Sequence, residues 1–173
     1  MNYEVENEKF GLRKMEISDC ANVVKWRNSV KQNYIYRENL TPDGEIEFFH
    51  DKVENGPMVI LMICIKELDD KAVGCVVYNG VEEDGSCEYG LFIGDADARG
   101  RGVGRWAIKS AMEYAFDVLK YKRLTARIFT DNEASIKSNE YAGLRKTGRI
   151  LDVTCTDGEK KQMYEYEMLP DML

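Results

Sequence analysis

The chain has 173 residues, 44% hydrophobic and 32% charged, with 31 acidic against 24 basic side chains and a formal net charge of −7. That length fits a single domain over 1–173 with a substantial core, and the acidity argues against broad binding to nucleic acid or to an anionic membrane. The polar, acidic start is no signal peptide, no apolar run approaches the ~18 residues of a membrane span, His50 is the single histidine and leaves no multi-histidine metal site, and five cysteines without a Cys-x-x-Cys pair suit free thiols in a reducing, cytoplasmic compartment.

Phe10–Met15 predicts a first strand, and Ser18 an N-cap before a helix over Asp19–Asn28 with Ala21, Val24 and Trp26 facing inward. Residues 29–40 are mixed and polar and predict a loop. Thr41-Pro42-Asp43 opens a second helix, with Thr41 as cap and Pro42 at its first position. Ile46, Phe48, Phe49 and Val53 form its apolar face, and Gly56-Pro57 ends it. The unbroken apolar run Met58–Ile65 predicts a strand covered on both faces. Leu68-Asp69-Asp70 turns the chain into a strand over Lys71–Tyr78, and Asn79-Gly80 and Asp84-Gly85 punctuate the route to Cys87.

Tyr89–Ile93, short and apolar, is the next strand. After it Val103, Ala107, Ala111, Tyr114 and Val118 recur at helical spacing, widened by Ile108, Met112, Ala115 and Leu119. Lys122–Thr130 alternates as a strand, Asp131-Asn132 opens a short helix through Ala142 that Gly143 closes, and Leu144–Cys155 with Lys161–Leu169 predicts a hairpin. The sum is an α/β (α+β) fold: one mixed, mostly antiparallel sheet of about seven strands with about four helices packed on it.

Between the Tyr89–Ile93 strand and the long helix lies Arg99-Gly100-Arg101-Gly102-Val103-Gly104-Arg105. Glycines at a helix start admit close backbone approach, and the free N–H groups and positive dipole end there suit phosphate. Arg99, Arg101 and Arg105 place positive charge there in an acidic chain. A P-loop would need Gly-x-x-x-x-Gly-Lys-Ser/Thr, which is absent. A dinucleotide fingerprint finds Gly102, Gly104 and Ala107 at its spacing, but Gly94–Ala98 intervene after the strand and no repeated βαβ units follow. Arg/Gln-x-x-Gly-x-Gly/Ala is met by Arg99, Gly102 and Gly104. On this loop the sequence resembles the GNAT superfamily of acyl-CoA-dependent N-acyltransferases, whose loop of this pattern holds the coenzyme A pyrophosphate. The resemblance implies the predicted order of elements, acetyl-CoA as co-substrate and no metal.

A second likeness is Asn132-Glu133-Ala134-Ser135-Ile136 followed by Gly143-Leu144. The resemblance puts Asn132 against the pantetheine arm or the acceptor, with Ser135 one turn on; a plain helix cap is the alternative role for Asn132. Many members carry a tyrosine seven residues after that asparagine as the acid for the leaving thiolate. Here Asn139 stands there, and Tyr141, rotated about 200° around the helix, does not share its face. The same departure marks the branch resembling ribosomal-protein N-terminal acetyltransferases.

Acetyl transfer to an amine needs a proton acceptor. The resemblance points to Glu88 at the start of the strand before the loop, and to backbone N–H groups near Phe92 and Ile93 for polarising the thioester oxygen. A solvated strand end is the alternative role for Glu88. Trp26-Arg27-Asn28 resembles a segment of members that acetylate nucleotide-linked amino sugars and of the ribosomal-protein branch, with Trp26 stacking and Arg27 pairing with phosphate; core packing is the alternative for Trp26. Cys64 and Cys75 lie in apolar strands and Cys20, Cys87 and Cys155 lack a histidine partner, so direct transfer is expected over a cysteine nucleophile. The acceptor is a peptide N-terminus, an amino sugar or a small amine, with a homodimer left open. A non-catalytic acyl-CoA-binding module and an NAD-type nucleotide-binding domain are the competing readings.

Overall fold

A computed structural model describes the whole chain, Met1–Leu173. Eight strands form one sheet in the order β1-β2-β3-β4-β5-β6-β8-β7. They are β1 (Val5–Glu6), β2 (Phe10–Lys14), β3 (Val59–Ile65), β4 (Lys71–Val81), β5 (Ser86–Ile93), β6 (Arg123–Phe129), β7 (Arg145–Thr154) and β8 (Lys160–Met168). All neighbours run antiparallel except β5 and β6, which are parallel. The strand beyond the expected seven is β1, whose two residues pair with Gly11 and Leu12 and are too few to show a period.

Four α-helices cover the sheet: α1 (Cys20–Ser29), α2 (Pro42–Phe48), α3 (Val103–Asp117) and α4 (Glu133–Tyr141). The apolar run of β3 serves both layers. Leu61, Ile63 and Ile65 join the core under α3, with Ala107, Ala111, Met112 and Ala115. Ile60, Met62 and Cys64 face the other way, onto Cys20, Val23, Trp26 and Phe49. A strand's side-chain period of two demands such division when both faces are covered.

Four local expectations change. Ser18 is not the cap of α1. A 3₁₀ turn, Ile17–Asp19, comes first, and the Asp19 carboxylate accepts from Arg13 at 2.7 and 2.8 Å and from Glu16 N–H at 2.8 Å. This tie between buried charges sets the helix so that Cys20, Val23 and Trp26 face inward, while Ala21 is exposed and Val24 only half-buried. The second helix widens after Phe48 into a π-helix, Phe49–Glu54, although Thr41 caps it as expected, accepting from Gly44 N–H at 3.1 Å. Asn79-Gly80 is no turn but a bulge inside β4, with Gly80 at φ +105°. Val118 lies past the end of α3 and is 55% exposed, because the chain leaves the helix there and Lys120 takes a left-handed conformation.

Candidate active site

β5 and β6 touch only at their base. Ser86, Cys87 and Glu88 pair with Arg123, Leu124 and Thr125, and there the ladder stops. Above Glu88, β5 stays with β4 as far as Ile93, whereas β6 stays with β8 as far as Phe129. The diverging strands open a cleft of about 500 Å³, walled by Glu88–Ile93 and Ala126–Phe129, roofed by Asn132, Ser135 and Asn139 of α4, and bounded by Arg27 and the 30–36 segment. Two strands that part expose backbone groups whose hydrogen bonds a bound chain can complete. Gly94 N–H donates to Val73 at 2.8 Å, so alternation turns the N–H groups of Leu91 and Ile93 toward the cleft and that of Phe92 toward β4. Of the two backbone positions expected to polarise the thioester, Ile93 faces the cleft by its N–H and Phe92 by its ring.

The glycine–arginine loop leads out of the same cleft. Gly100 and Gly102 adopt φ +72° and +78°, and a Cβ at either would meet nothing within 4 Å, so these glycines serve conformation. Val103 is buried and anchors the start of α3, and Gly104 abuts Ile93. Trp106 N–H is the first in this helix to find a carbonyl, that of Gly102 at 3.2 Å; those of Gly102, Val103, Gly104 and Arg105 have no partner in the chain. These donors suit a phosphate. The arginines divide. Arg99 is exposed and forms no ion pair. Arg101 turns away, bonding Glu67 and, at 2.7 Å, the Asp97 carbonyl. Arg105 lies 4.4 Å over the Tyr141 ring. Arg101 is therefore a strut of the loop, which spacing alone could not reveal.

The other end of the cleft is made of side chains. Trp26 does not reach it: the indole is 3% exposed, stands edge-on to Phe92 at 6.2 Å, and sits where a Cβ on Gly94 would come within 2.2 Å of its ring. It pins the end of β5 from below. Asn28 is also structural, exchanging two hydrogen bonds with the backbone of Leu40 at 2.7 and 3.0 Å. Arg27 does line the cleft. Its guanidinium lies 3.6 Å over the Tyr34 ring, and its buried Nε has no hydrogen-bond partner. Burial pushes the Tyr34 phenol up to about 12 although Arg27 opposes the shift. Glu45, on α2, is buried nearby; burial raises its pKa and Arg27 partly offsets this.

Glu88 faces the cleft, and Cys87, next to it, faces the core, as alternation requires. The Glu88 carboxylate accepts from Arg127 at 2.8 and 3.1 Å and from Asn79 at 3.3 Å. Asn132 caps α4, accepting from Ser135 N–H at 3.3 Å, and also lines the cleft. Tyr89, Asn139, Tyr34 and Arg127 also line it. Asn139 was marked in advance by its spacing from Asn132, whereas Tyr89, Tyr34 and Arg127 carried no spacing signal. None of the five cysteines does, all are free and buried, and burial pushes the Cys75 thiol up to about 12 and that of Cys64 to about 11. Such thiols are not nucleophiles at neutral pH. No helix is long and apolar enough to cross a membrane.

Residues 9–145 match the family model described as an acetyltransferase (GNAT) domain. An uncharacterized N-acetyltransferase of Bacillus licheniformis, p20, is 25% identical over 171 residues, covering 94% of this chain and 93% of its own. Among solved structures, a spermidine N-acetyltransferase from Vibrio cholerae in complex with CoA and spermine superposes with a TM-score of 0.84 at 16% identity, covering 96% of this chain and 98% of that one. A ribosomal-protein-S5-alanine acetyltransferase from Vibrio fischeri gives 0.80 at 20% identity and 98% coverage of both. The dinucleotide reading of the loop gives way to these matches and to the 3₁₀ turn, Ala96–Ala98, that separates the glycines from β5.

Proposed function

The chain belongs to the GNAT acetyltransferase family and is an N-acetyltransferase using acetyl-CoA; from that premise we propose that its acceptor is a primary amine carrying a carboxylate or phosphate close by. An amino sugar linked to phosphate and a small amino acid meet that description, and a protein N-terminus meets it where an acidic side chain lies in its first positions. The observation that carries this reading is Arg27, a guanidinium lining the cleft that forms no ion pair within the chain and lies over the Tyr34 ring. A hydrogen bond between that guanidinium and an anionic acceptor would contribute about 1.5–3 kcal/mol. Glu88 is the one carboxylate lining the cleft, so the further ammonium groups of a polyamine would find no counter-charge beyond the one that meets the reacting amine.

Acetyl-CoA supplies the activated thioester. The four unpartnered N–H groups at Gly102–Arg105, with Gly100 and Arg99 beside them, fit its pyrophosphate, and Asn132, Ser135 and the parted edges of β5 and β6 fit its pantetheine arm. Ile93 N–H polarises the thioester oxygen, a role supported by its turn away from β4 toward the cleft, with Phe92 beside it. Glu88 takes the proton of the amine: its oxygens accept from Arg127 and Asn79 and keep lone pairs to spare. The acetyl group passes directly in a ternary complex, since no cysteine reaches the cleft. The free thiols support a reducing, cytoplasmic setting.

The test is thiol release from acetyl-CoA with a panel of amines: peptides, phosphorylated amino sugars, amino acids and spermine. Turnover is expected with anion-bearing acceptors. Spermine as the best substrate of the panel would overturn the acceptor class.

A further inference from the structure

Asn139 occupies the place where the resemblance expects a phenol, yet a phenol is there. Tyr89, rooted on β5 and 4% exposed, crosses to α4 and donates its hydroxyl to Asn139 Oδ1. The direction of that bond is settled by its surroundings. Asn139 Nδ2 faces the Ser135 carbonyl at 2.8 Å and Ser135 Oγ at 3.3 Å, and a carbonyl only accepts. Oδ1 must therefore face Tyr89, and the phenol must be the donor. A hydroxyl proton turns freely about its C–O bond. It can leave a neutral amide for a nearby anion, and charge-assisted hydrogen bonds are about twice as strong as neutral ones.

The other hydroxyls of the cleft are engaged differently. Tyr36 donates to Glu38 at 3.0 Å, Tyr34 lies under the Arg27 guanidinium, and Ser135 Oγ receives Asn139 Nδ2. Strand alternation adds a second argument. Glu88 and Tyr89 are adjacent on β5 and project to opposite faces. Direct transfer can use this arrangement, because the amine nitrogen and the departing sulfur are different substituents of one carbon and are served by different groups.

We propose that Tyr89 is a catalytic residue that hydrogen-bonds the departing thiolate of coenzyme A, meeting from the strand the same sulfur that many members of the family meet with an acid tyrosine at the place of Asn139. The inference rests on the acetyl-transfer reading above. As the N–C bond forms, the C–S bond breaks and its electron pair goes to sulfur. The amine proton goes to Glu88. Tyr89 gives up no proton; its hydroxyl swings from Asn139 to the sulfur and holds the thiolate until it leaves.

The decisive readout is the pKa of the coenzyme A thiol bound to the protein, followed by thiolate ultraviolet absorbance in the absence of any amine. Tyr89→Phe should raise it by about 1–2 pH units, the equivalent of one hydrogen bond to a charged group. Turnover should fall roughly 10–100-fold while coenzyme A affinity stays nearly constant. Replacing Tyr89 by 3-fluorotyrosine preserves shape and packing and makes the hydroxyl a stronger donor, so the bound thiol pKa should fall, even if Tyr89→Phe proves unstable. An unchanged thiol pKa in the fluorinated protein would overturn the role of Tyr89. Failure of the wild-type protein to bind coenzyme A would instead overturn the acetyl-transfer reading on which it rests.

Discussion

The two ends of the cleft are built from different materials. The coenzyme end is mostly backbone from one continuous stretch, Glu88–Arg105: a strand that parts from its neighbour, two glycines with positive φ and a helix start with four free N–H groups. The acceptor end is side chains from remote segments. Arg27 and Tyr34 come from α1 and the residues after it, and that segment is tied down by Arg37, which bonds Glu159 at 3.0 Å and Asp157 at 3.4 Å, while the Arg37 N–H reaches Thr156 at 2.7 Å. A backbone site depends on where glycines and strand ends fall. A side-chain site depends on contacts that fold together more than 100 residues of chain, and it can change its ligand without changing the fold.

Glu88 sits where the two ends meet, so its loss should have the largest effect. Glu88→Gln keeps the shape and removes the charge. Turnover should fall roughly 10²–10⁴-fold at neutral pH, the usual contribution of a general base, with acetyl-CoA binding retained. More alkaline solution should restore part of the rate, because more amine arrives already neutral. Matching pH–rate profiles for the two proteins would show that water or another group takes the proton.

Gly104→Val addresses the coenzyme end. The first added carbon would stand 3.8 Å from Ile93 Cγ1, an ordinary contact, so the free protein should fold. Coenzyme A at about a hundredfold above its dissociation constant adds roughly 2.7 kcal/mol to wild-type stability. That stabilisation, seen as a rise in melting temperature, should vanish in the variant. A full shift in Gly104→Val would mean that the ligand does not approach this backbone.

The contrast explains what could be read in advance. The long apolar run of β3, the stripe of α3 and the Arg99–Gly104 loop were legible because each is written in consecutive residues. The inward face of α1 was not, because Arg13 and Asp19 set it through a buried ion pair at 2.7 Å. Nor was Arg101's turn toward Glu67, 34 residues back, or the meeting of Tyr89 with Asn139, 50 residues ahead. Trp26 lies beside Arg27 in sequence, yet one is core and the other cleft, since neighbours on a helix point about 100° apart.

Arg27→Ala tests the acceptor end. Losing a hydrogen bond to a charged group costs about 1.5–3 kcal/mol, so the Michaelis constant for the amine should rise roughly 10–100-fold while that for acetyl-CoA barely moves. Arg27→Lys should recover little, because an ammonium neither stacks on Tyr34 nor offers a fork of donors. Equal increases for both substrates would erase the division of the cleft into two ends.

The smallest effect expected, from Glu45→Gln, bears on whether the charge of Arg27 is free for a ligand. Burial raises the Glu45 pKa and Arg27 only partly offsets this. A carboxyl whose folded pKa lies above its unfolded one binds its proton more readily in the folded state, so the ionised form costs stability at neutral pH. The wild type should regain that stability as pH falls through the raised value toward the ordinary carboxyl range near ~4.3. Glu45→Gln removes the cost. It should therefore melt roughly 1–3 °C higher than wild type at pH 7.5, with the advantage shrinking toward pH ~4. A variant that melts lower at pH 7.5 would carry the opposite meaning: Glu45 would be the ionised partner of Arg27, the guanidinium would already be neutralised, and an anionic acceptor would lose its anchor.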